Sequence, residues 1–110
     1  YLEVDRQQVE QVLINLITNG IYALKNSQAK DISVRLFQKE KRIIIEITDS
    51  GQGIEKEIET KVFLPFFTTR KEGAGIGLAL SKNIIEAHGG YLFFSSENGK
   101  TKFSVQLVKE

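Results

Sequence analysis

The stretch IIIEITDSGQG, residues 43–53, joins a run of β-branched residues to a loop that contains one acid and two glycines. Because β-branched residues favour strands, Ile43 to Thr48 is predicted to form one. A similar run from Ile32 to Phe37 precedes it, and the charged residues between the runs, 38–42, predict an exposed turn. The stretch therefore predicts two paired strands, the second of which leads directly into Asp49.

Two segments with helical periodicity flank this hairpin in the sequence. Asp5 is a good N-cap residue, and apolar residues then recur at helical spacing as far as Leu24. The second segment runs from Ile76 to His88, and Gly89 and Gly90 after it predict a C-terminal stop. The residues of the second helix that are predicted to share its apolar side are Ile76, Ala79, Leu80, Ile84 and Ala87.

Three further segments complete the predicted fold. Tyr1 to Val4 alternates apolar and polar residues, and the runs Tyr91 to Ser96 and Thr101 to Val108 are joined through an Asn-Gly pair that is typical of hairpins. The order of elements becomes strand, helix, strand, strand, loop, helix, strand, strand. This order predicts one α+β domain over residues 1–110, a two-layer α/β sandwich with a mixed, mostly antiparallel sheet covered on one face by helices.

The composition excludes several classes of function. With 15 Lys and Arg against 14 Asp and Glu, the formal charge of +1 offers no general attraction to nucleic acid or to an anionic membrane. The absence of cysteine excludes disulfides, thiolate zinc sites and thiol catalysis, and is typical of the cytoplasm. No apolar run approaches the ~20 residues that cross a bilayer, so this piece is predicted not to insert into a membrane. Because it begins abruptly within a predicted strand, we expect a longer parent protein, which could itself be membrane-anchored.

Asn15 and Asn19 lie four residues apart on the first predicted helix, so they share a face that borders its apolar stripe. Amide oxygens are acceptable ligands for Mg²⁺, which commonly takes few protein oxygens and completes its shell with phosphate and water. The pair therefore fits a site for Mg²⁺ and phosphate. The alternative is that the two asparagines lie at the border of the buried face of a core helix and bind nothing.

Asp49, Gly51 and Gly53 follow directly after a predicted strand. The glycines let the backbone approach a ligand closely. The carboxylate can accept a hydrogen bond from the exocyclic amine of adenine, which guanine lacks at that position. The alternative is an ordinary Asp-x-Gly turn.

The residues between Asp49 and Gly77 lose clear periodicity, except for a short helical piece near 55–60, and predict a long functional loop. The glycines Gly73, Gly75 and Gly77 open a helix there, where free N–H groups and the helix dipole favour phosphate. No strand immediately precedes them and no lysine-serine pair follows, which excludes Rossmann and P-loop folds.

Three of the seven phenylalanines lie within residues 63–67, and Arg70 and Lys71 follow them. Aromatic rings could cover a nucleotide, but a hydrophobic plug that anchors the loop is the preferred interpretation. Arg70 or Lys71 is predicted to reach the terminal phosphate.

The order and spacing of these motifs resemble the GHKL superfamily of gyrases, heat-shock chaperones, histidine kinases and mismatch-repair ATPases. Within it, the histidine kinase branch fits best. The matching motifs are NLITNG (15–20, N box), DSGQGI (49–54, first glycine box), FLPFFTTR (63–70, F box), GAGIGLALSKNIIEAHGG (73–90, second glycine box) and TKF (101–103, final threonine element). The resemblance spans roughly residues 5–108 and implies the Bergerat ATP-binding fold of a sensor histidine kinase catalytic domain.

The resemblance also implies roles for individual residues. Asn19 would ligate Mg²⁺, with Asn15 beside it near the phosphates. Asp49 would accept a hydrogen bond from the adenine amine, and Thr101 would support this contact. A lid would run over residues 54–74. The implied contacts with the nucleotide and Mg²⁺ are Asn15, Asn19, Asp49, Gly51, Gly53, Ile54, Phe67, Thr69, Gly73, Gly75, Ile76, Gly77, Leu78 and Thr101. The implied catalytic residues are Asn15, Asn19, Arg70 and Lys71.

The resemblance further implies the reaction. Hydrolytic relatives place a glutamate four residues before the Mg²⁺ asparagine to activate water, whereas Asn15 cannot take a proton at neutral pH. This favours a kinase that binds Mg-ATP, phosphorylates a histidine on a separate dimerisation domain of its own parent chain, and serves a response regulator indirectly. His88 matches the EAHGG helix ending of the family, so it is predicted to be structural and this piece is predicted not to phosphorylate itself.

The sequence departs from the family pattern at three positions. Tyr22 stands where many members have a basic residue, so Arg70 or Lys71 is expected to replace that phosphate contact. Gly20 stands where alanine is usual, which is expected to cost about 1 kcal/mol of helix propensity. Lys100 stands where a glycine commonly precedes the terminal threonine.

Three other functions share this scaffold. Intact motifs argue against a non-catalytic nucleotide-binding or regulatory module, and Asn15 argues against a hydrolase of the chaperone or gyrase type. The F box and the EAHGG ending argue against a serine kinase of the anti-sigma type.

Overall fold

The computed structural model describes residues 4–24, 31–51, 61–64, 77–97 and 100–108. Within these ranges the elements are α1 (Arg6–Ala23), β1 (Ile32–Lys39), β2 (Arg42–Asp49), α2 (Gly77–Ala87), β3 (Tyr91–Glu97) and β4 (Lys100–Val108). Both predicted helices and the four predicted strands that fall in these ranges are confirmed, with ends that differ by one or two residues. The predicted first strand lies outside the described residues except for Val4, which is not in a strand.

The four strands form one sheet in the order β1, β2, β4, β3, and each neighbouring pair is antiparallel. The β1–β2 hairpin is longer than its charge pattern predicts, because Gln38 pairs with Ile43 and Lys39 pairs with Arg42. The turn therefore contains only Glu40 and Lys41, and Glu40 has a positive φ of 58°. Charged residues can extend a strand here because all of their side chains remain exposed.

Both helices pack on one face of the sheet, α1 against β2 and α2 against β3 and β4, and they also pack against each other. Directly opposed residues of antiparallel strands point to the same face, so alternate residues of β2 and β4 line this layer together. The buried core contains Val12, Leu16, Ile47, Ile84, Ile85, Leu92, Phe103, Val105 and Leu107. The predicted α+β two-layer sandwich is confirmed.

The second helix buries a different side from the one predicted. Leu80 is 44% exposed and Ala87 is exposed, whereas Ser81 and Ile85 are buried. The predicted apolar side is therefore wrong at Leu80 and Ala87. The physical reason is that α2 packs against α1 as well as against the sheet. The side of α2 that faces α1 is therefore buried too.

The ends of the two helices are joined by His88. Gly89 has a positive φ of 74°, and the N–H groups of Gly89 and Gly90 donate to Glu86 O and Ile85 O, so the two glycines end α2 as predicted. His88 Nδ1 lies 2.8 Å from Ile84 O, and the Asp5 N–H donates to His88 Nε2 at 3.0 Å. Since a carbonyl oxygen only accepts, Nδ1 carries the proton and Nε2 accepts.

Phe63 anchors the short segment 61–64 to the sheet. Its ring centroid lies 5.8 Å from that of Phe94 and 6.4 Å from that of Phe103, and Lys82 Nζ lies 4.9 Å from its centroid. These contacts support the interpretation of Phe63 as a hydrophobic anchor. Of the described helices, neither combines the length and hydrophobicity that crossing a bilayer requires.

Candidate functional site

A buried carboxylate lies at the end of β2. Asp49 is only 2% exposed, and its Oδ1 accepts a hydrogen bond from the Gly51 N–H at 3.0 Å. Thr101, also buried, is its direct partner on β4, so both side chains point to the helix-covered face. The structure thus brings Asp49 and Gly51 together with Thr101, which is far from both in the sequence.

The described surroundings of Asp49 disfavour its charged form. Burial raises the pKa of the Asp49 carboxyl above its ordinary value, and the hydrogen bond from the Gly51 N–H opposes this increase only in part. Within the described ranges, no lysine or arginine forms a salt bridge with Asp49. A buried carboxylate without a cation costs folding free energy, which makes Asp49 a candidate for ligand binding.

Helix α1 passes close above this carboxylate at Gly20. A Cβ placed on Gly20 would lie 3.6 Å from Asp49 Cβ, 3.7 Å from Asp49 Oδ2 and 2.8 Å from Ile32 Cδ1. Ile32 is the β1 partner of Asp49, so Gly20 rests on the cross-strand pair itself. The glycine at the position where the family usually has alanine therefore allows close packing of α1 on the acid.

Asn19 and Asn15 share one face of α1 as predicted, but their surroundings differ. Asn19, next to Gly20, is half-buried and forms no hydrogen bond with the described part of the chain. Asn15 is also half-buried, but its Nδ2 donates to Ser81 Oγ at 3.3 Å and to Gly77 O at 3.5 Å, and its Oδ1 accepts from Gln11 Nε2 at 3.1 Å. Among the described residues, the amide of Asn15 is thus held at both ends, whereas that of Asn19 is not.

The beginning of α2 lies beside Asn15. A Cβ on Gly77, the first residue of α2, would lie 3.8 Å from Asn15 Cγ, and Leu78 packs against the core. The first turn of a helix has N–H groups without intrahelical partners and a positive dipole end. The asparagine face of α1 and the positive end of α2 are thus adjacent, an arrangement that suits phosphate groups.

Several predicted site residues lie outside the described residues, so their roles remain predictions. They are Gly53, Ile54, Phe67, Thr69, Arg70, Lys71, Gly73, Gly75 and Ile76. Ser81 was not predicted from the sequence, and it is fully buried and accepts a hydrogen bond from Asn15. A serine within an otherwise apolar helix was the signal that could have indicated it.

The fold and this site define a class of protein. It is an α+β domain in which a buried acid, a helix with two asparagines and a helix that begins at a glycine meet at one end of a sheet. The sequence model of histidine kinase-, DNA gyrase B- and HSP90-like ATPases matches residues 4–110. The chain belongs to this family.

Curated relatives of the chain are sensor proteins. It is 37% identical over 105 residues to the C4-dicarboxylate transport sensor protein DctB of Rhizobium meliloti, which covers 96% of this chain and 17% of DctB. It is 40% identical over 99 residues to the sensor histidine kinase ZraS of Escherichia coli K12, which covers 90% of this chain and 21% of ZraS. The chain thus spans about a fifth of the length of these relatives.

Solved structures of histidine kinases share the fold. The nucleotide-free catalytic domain of histidine kinase ThkA has a TM-score of 0.87 at 33% identity, covering 98% of this chain and 70% of that one. The mycobacterial sensor histidine kinase MprB has a TM-score of 0.85 at 25% identity, covering 97% of this chain and 76% of that one. The histidine kinase branch indicated by the motif order is confirmed.

Proposed function

We propose that this domain binds Mg-ATP and transfers the γ-phosphoryl group to a histidine on the dimerisation domain of its parent protein. The observation that carries the proposal is Asp49, a carboxylate 2% exposed at the end of β2, directly beneath the turn of α1 that contains Asn19 and Gly20. Membership of the ATPase family and similarity to histidine kinase catalytic domains support the same function.

Asp49 would select adenine. One of its oxygens accepts a hydrogen bond from the Gly51 N–H, and a carboxylate has lone pairs for further donors. The exocyclic amine of adenine can donate to it, whereas guanine presents an oxygen at that position, which a carboxylate disfavours. Thr101, on the same face and directly opposite, would support this contact.

Asn19 and the beginning of α2 would hold the phosphates. The amide oxygen of Asn19 has no described partner, which suits a ligand of Mg²⁺, and the N-terminal turn of α2 supplies N–H donors. Bound Mg²⁺ would neutralise charge on the phosphates. We expect Arg70 or Lys71 to contact the terminal phosphate.

The transfer requires positioning more than proton removal by this chain. A ring nitrogen of the acceptor histidine attacks the γ-phosphorus while the bond to the bridging oxygen breaks and ADP leaves. Asn15 stands where a hydrolase has its glutamate, and both ends of its amide are engaged within the domain. It therefore cannot activate water, which favours the kinase over a hydrolase.

The acceptor histidine must come from another part of the parent protein. Both ring nitrogens of His88, the only histidine in the sequence, are engaged with Ile84 O and the Asp5 N–H. The phosphorylated histidine of the dimerisation domain would then pass its phosphoryl group to a response regulator.

The first test of this proposal concerns the metal ligand. Asn19→Ala is expected to lower ATP affinity strongly in the presence of Mg²⁺ and only slightly in EDTA, because the lost oxygen ligates the metal. Isothermal titration calorimetry of both proteins under both conditions measures this. Equal losses in the two conditions would assign Asn19 a packing role instead.

The second test concerns the reaction. The chain, radiolabelled ATP and the separately produced dimerisation domain of the parent are mixed, with the acceptor His→Gln variant of that domain as the control. Label is expected only on the wild-type dimerisation domain. Label on the isolated chain, or release of free phosphate without protein labelling, would contradict the proposal.

A further inference from the structure

Ser81 is a buried polar residue that no part of the proposed reaction uses. It lies in the second turn of α2, is fully buried, and its Oγ accepts a hydrogen bond of 3.3 Å from Asn15 Nδ2 on α1. The only other bond that Asn15 Nδ2 makes with the described residues is the longer one of 3.5 Å to Gly77 O.

This contact lies about one helical turn from the groups that would bind phosphate. Asn15 precedes Asn19 by four residues on α1, and Ser81 follows Gly77 by four residues on α2. Four residues of helix rise about 6 Å, so the bond lies roughly one turn from both the predicted metal ligand and the beginning of α2.

The chemistry of the contact indicates more than filling of space. A buried serine hydroxyl adds little apolar packing, and an alanine would fill almost the same volume without a polar atom to satisfy. The hydroxyl does hold a specific partner, Asn15, whose other end is held by Gln11 Nε2 at 3.1 Å. Bonds at both ends fix the orientation of the amide and with it the separation of the two helices.

We propose that Ser81 is a positioning residue for the nucleotide phosphates. Its hydroxyl holds Asn15 and thereby sets the distance between Asn19 on α1 and the first turn of α2. The inference rests on the proposed function. It predicts that the contribution of Ser81 grows with the number of phosphates on the ligand, since the adenine contact at Asp49 lies on the sheet and does not depend on this bond.

The test compares Ser81→Ala with a matched control, Ser104→Ala. Ser104 is a buried serine, 3% exposed, in β4 on the opposite side of the sheet. Calorimetry in Mg²⁺ measures binding of adenosine, ADP and ATP to both variants and to the unmodified chain. Ser81→Ala is expected to weaken ATP binding about five-fold, the net value of one hydrogen bond, and ADP binding less, with adenosine binding unchanged. Ser104→Ala is expected to change none of the three affinities.

Equal weakening for adenosine and ATP would overturn the inference, because it would indicate a general structural role for Ser81. Unchanged ATP binding in folded Ser81→Ala would overturn it as well. If Ser81→Ala does not fold, Ser81→Cys supplies a slightly larger side chain with a weaker hydrogen-bonding group, and ATP binding equal to that of the unmodified chain would be the contradicting result. A chain that binds no Mg-ATP before any substitution would instead refute the proposed function.

Discussion

Glu46 and Asp49 are acids three residues apart on β2, and they have opposite surroundings. Glu46 points to the face of the sheet away from the helices, 3.4 Å from Lys102 Nζ and 3.9 Å from Arg35 Nη1. Asp49 points to the helix-covered face, where it accepts a hydrogen bond from the Gly51 backbone N–H and pairs with no cation of the described residues.

The difference shows how a structural acid can be told from a ligand-binding one. The charge of Glu46 is balanced by the fold itself, so Glu46 needs no ligand. The charge of Asp49 is desolvated by α1 and β4, and no cation of the described residues balances it, so a donor that binds there would recover part of the free energy lost on burial. Four predictions test this contrast.

The largest expected effect is on nucleotide affinity. Asp49→Asn removes the charged acceptor for the adenine amine and is expected to weaken ATP binding by roughly 10- to 100-fold, the range for a hydrogen bond to a charged group. Calorimetry measures the affinity, and circular dichroism checks that the fold is intact. Glu46→Gln serves as the control and is expected to bind ATP normally. Unchanged ATP affinity in Asp49→Asn would refute the role of this acid.

The second prediction concerns stability against pH. Because burial raises the pKa of Asp49 above the ordinary value of 3.8, the native state binds more protons than the unfolded state between these two values. Stability contributed by this group therefore falls as pH rises through that window, and the penalty is complete once the pH exceeds the raised pKa of Asp49. Without nucleotide, Asp49→Asn is expected to melt a few degrees higher than the unmodified chain at pH 7, and the gap is expected to close as pH falls towards 3.8. A difference in melting temperature that persists near pH 3.8 would contradict this explanation.

The third prediction concerns Gly20. Gly20→Ala gains helix propensity, and the displaced neighbour is the flexible tip of Ile32, so a net stabilisation below about 1 kcal/mol is expected. The new methyl group would also lie against Asp49 Oδ2 and desolvate it further. The stabilisation by Gly20→Ala should therefore be larger in the Asp49→Asn background. Urea unfolding of the unmodified chain, the two single variants and the double variant measures this difference. Destabilisation in both backgrounds would show that Ile32 cannot move.

The smallest expected effect is at Glu46. The cations that face it are partly exposed, with side-chain exposures of 72% for Arg35 and 43% for Lys102. Such pairs contribute little, and Glu46→Gln is expected to lower the free energy of unfolding by less than about 1 kcal/mol, with a smaller loss in high salt. A loss of several kcal/mol in urea unfolding would contradict the assignment of these ion pairs as weak, partly exposed ones.

Local patterns were sufficient to predict most of the elements. The β-branched runs, the Asp5 cap and the Gly89-Gly90 ending depend on residues close in sequence, and the structure confirms all three. The order of the motifs also indicated the histidine kinase branch, because a set of spaced motifs is far more specific than any one of them.

The sequence by itself determined the class of fold, the acid at the end of a strand and the paired asparagines, since each follows from local periodicity or from residue type. Only the tertiary structure decided which side of α2 is buried, that Asn15 is held by a serine 66 residues away, and that Asp49 lacks a cation among the described residues while Glu46 has two. The physical reason is that burial and charge compensation depend on neighbours contributed by distant segments. The residues on one helix or strand do not reveal which distant segments those are.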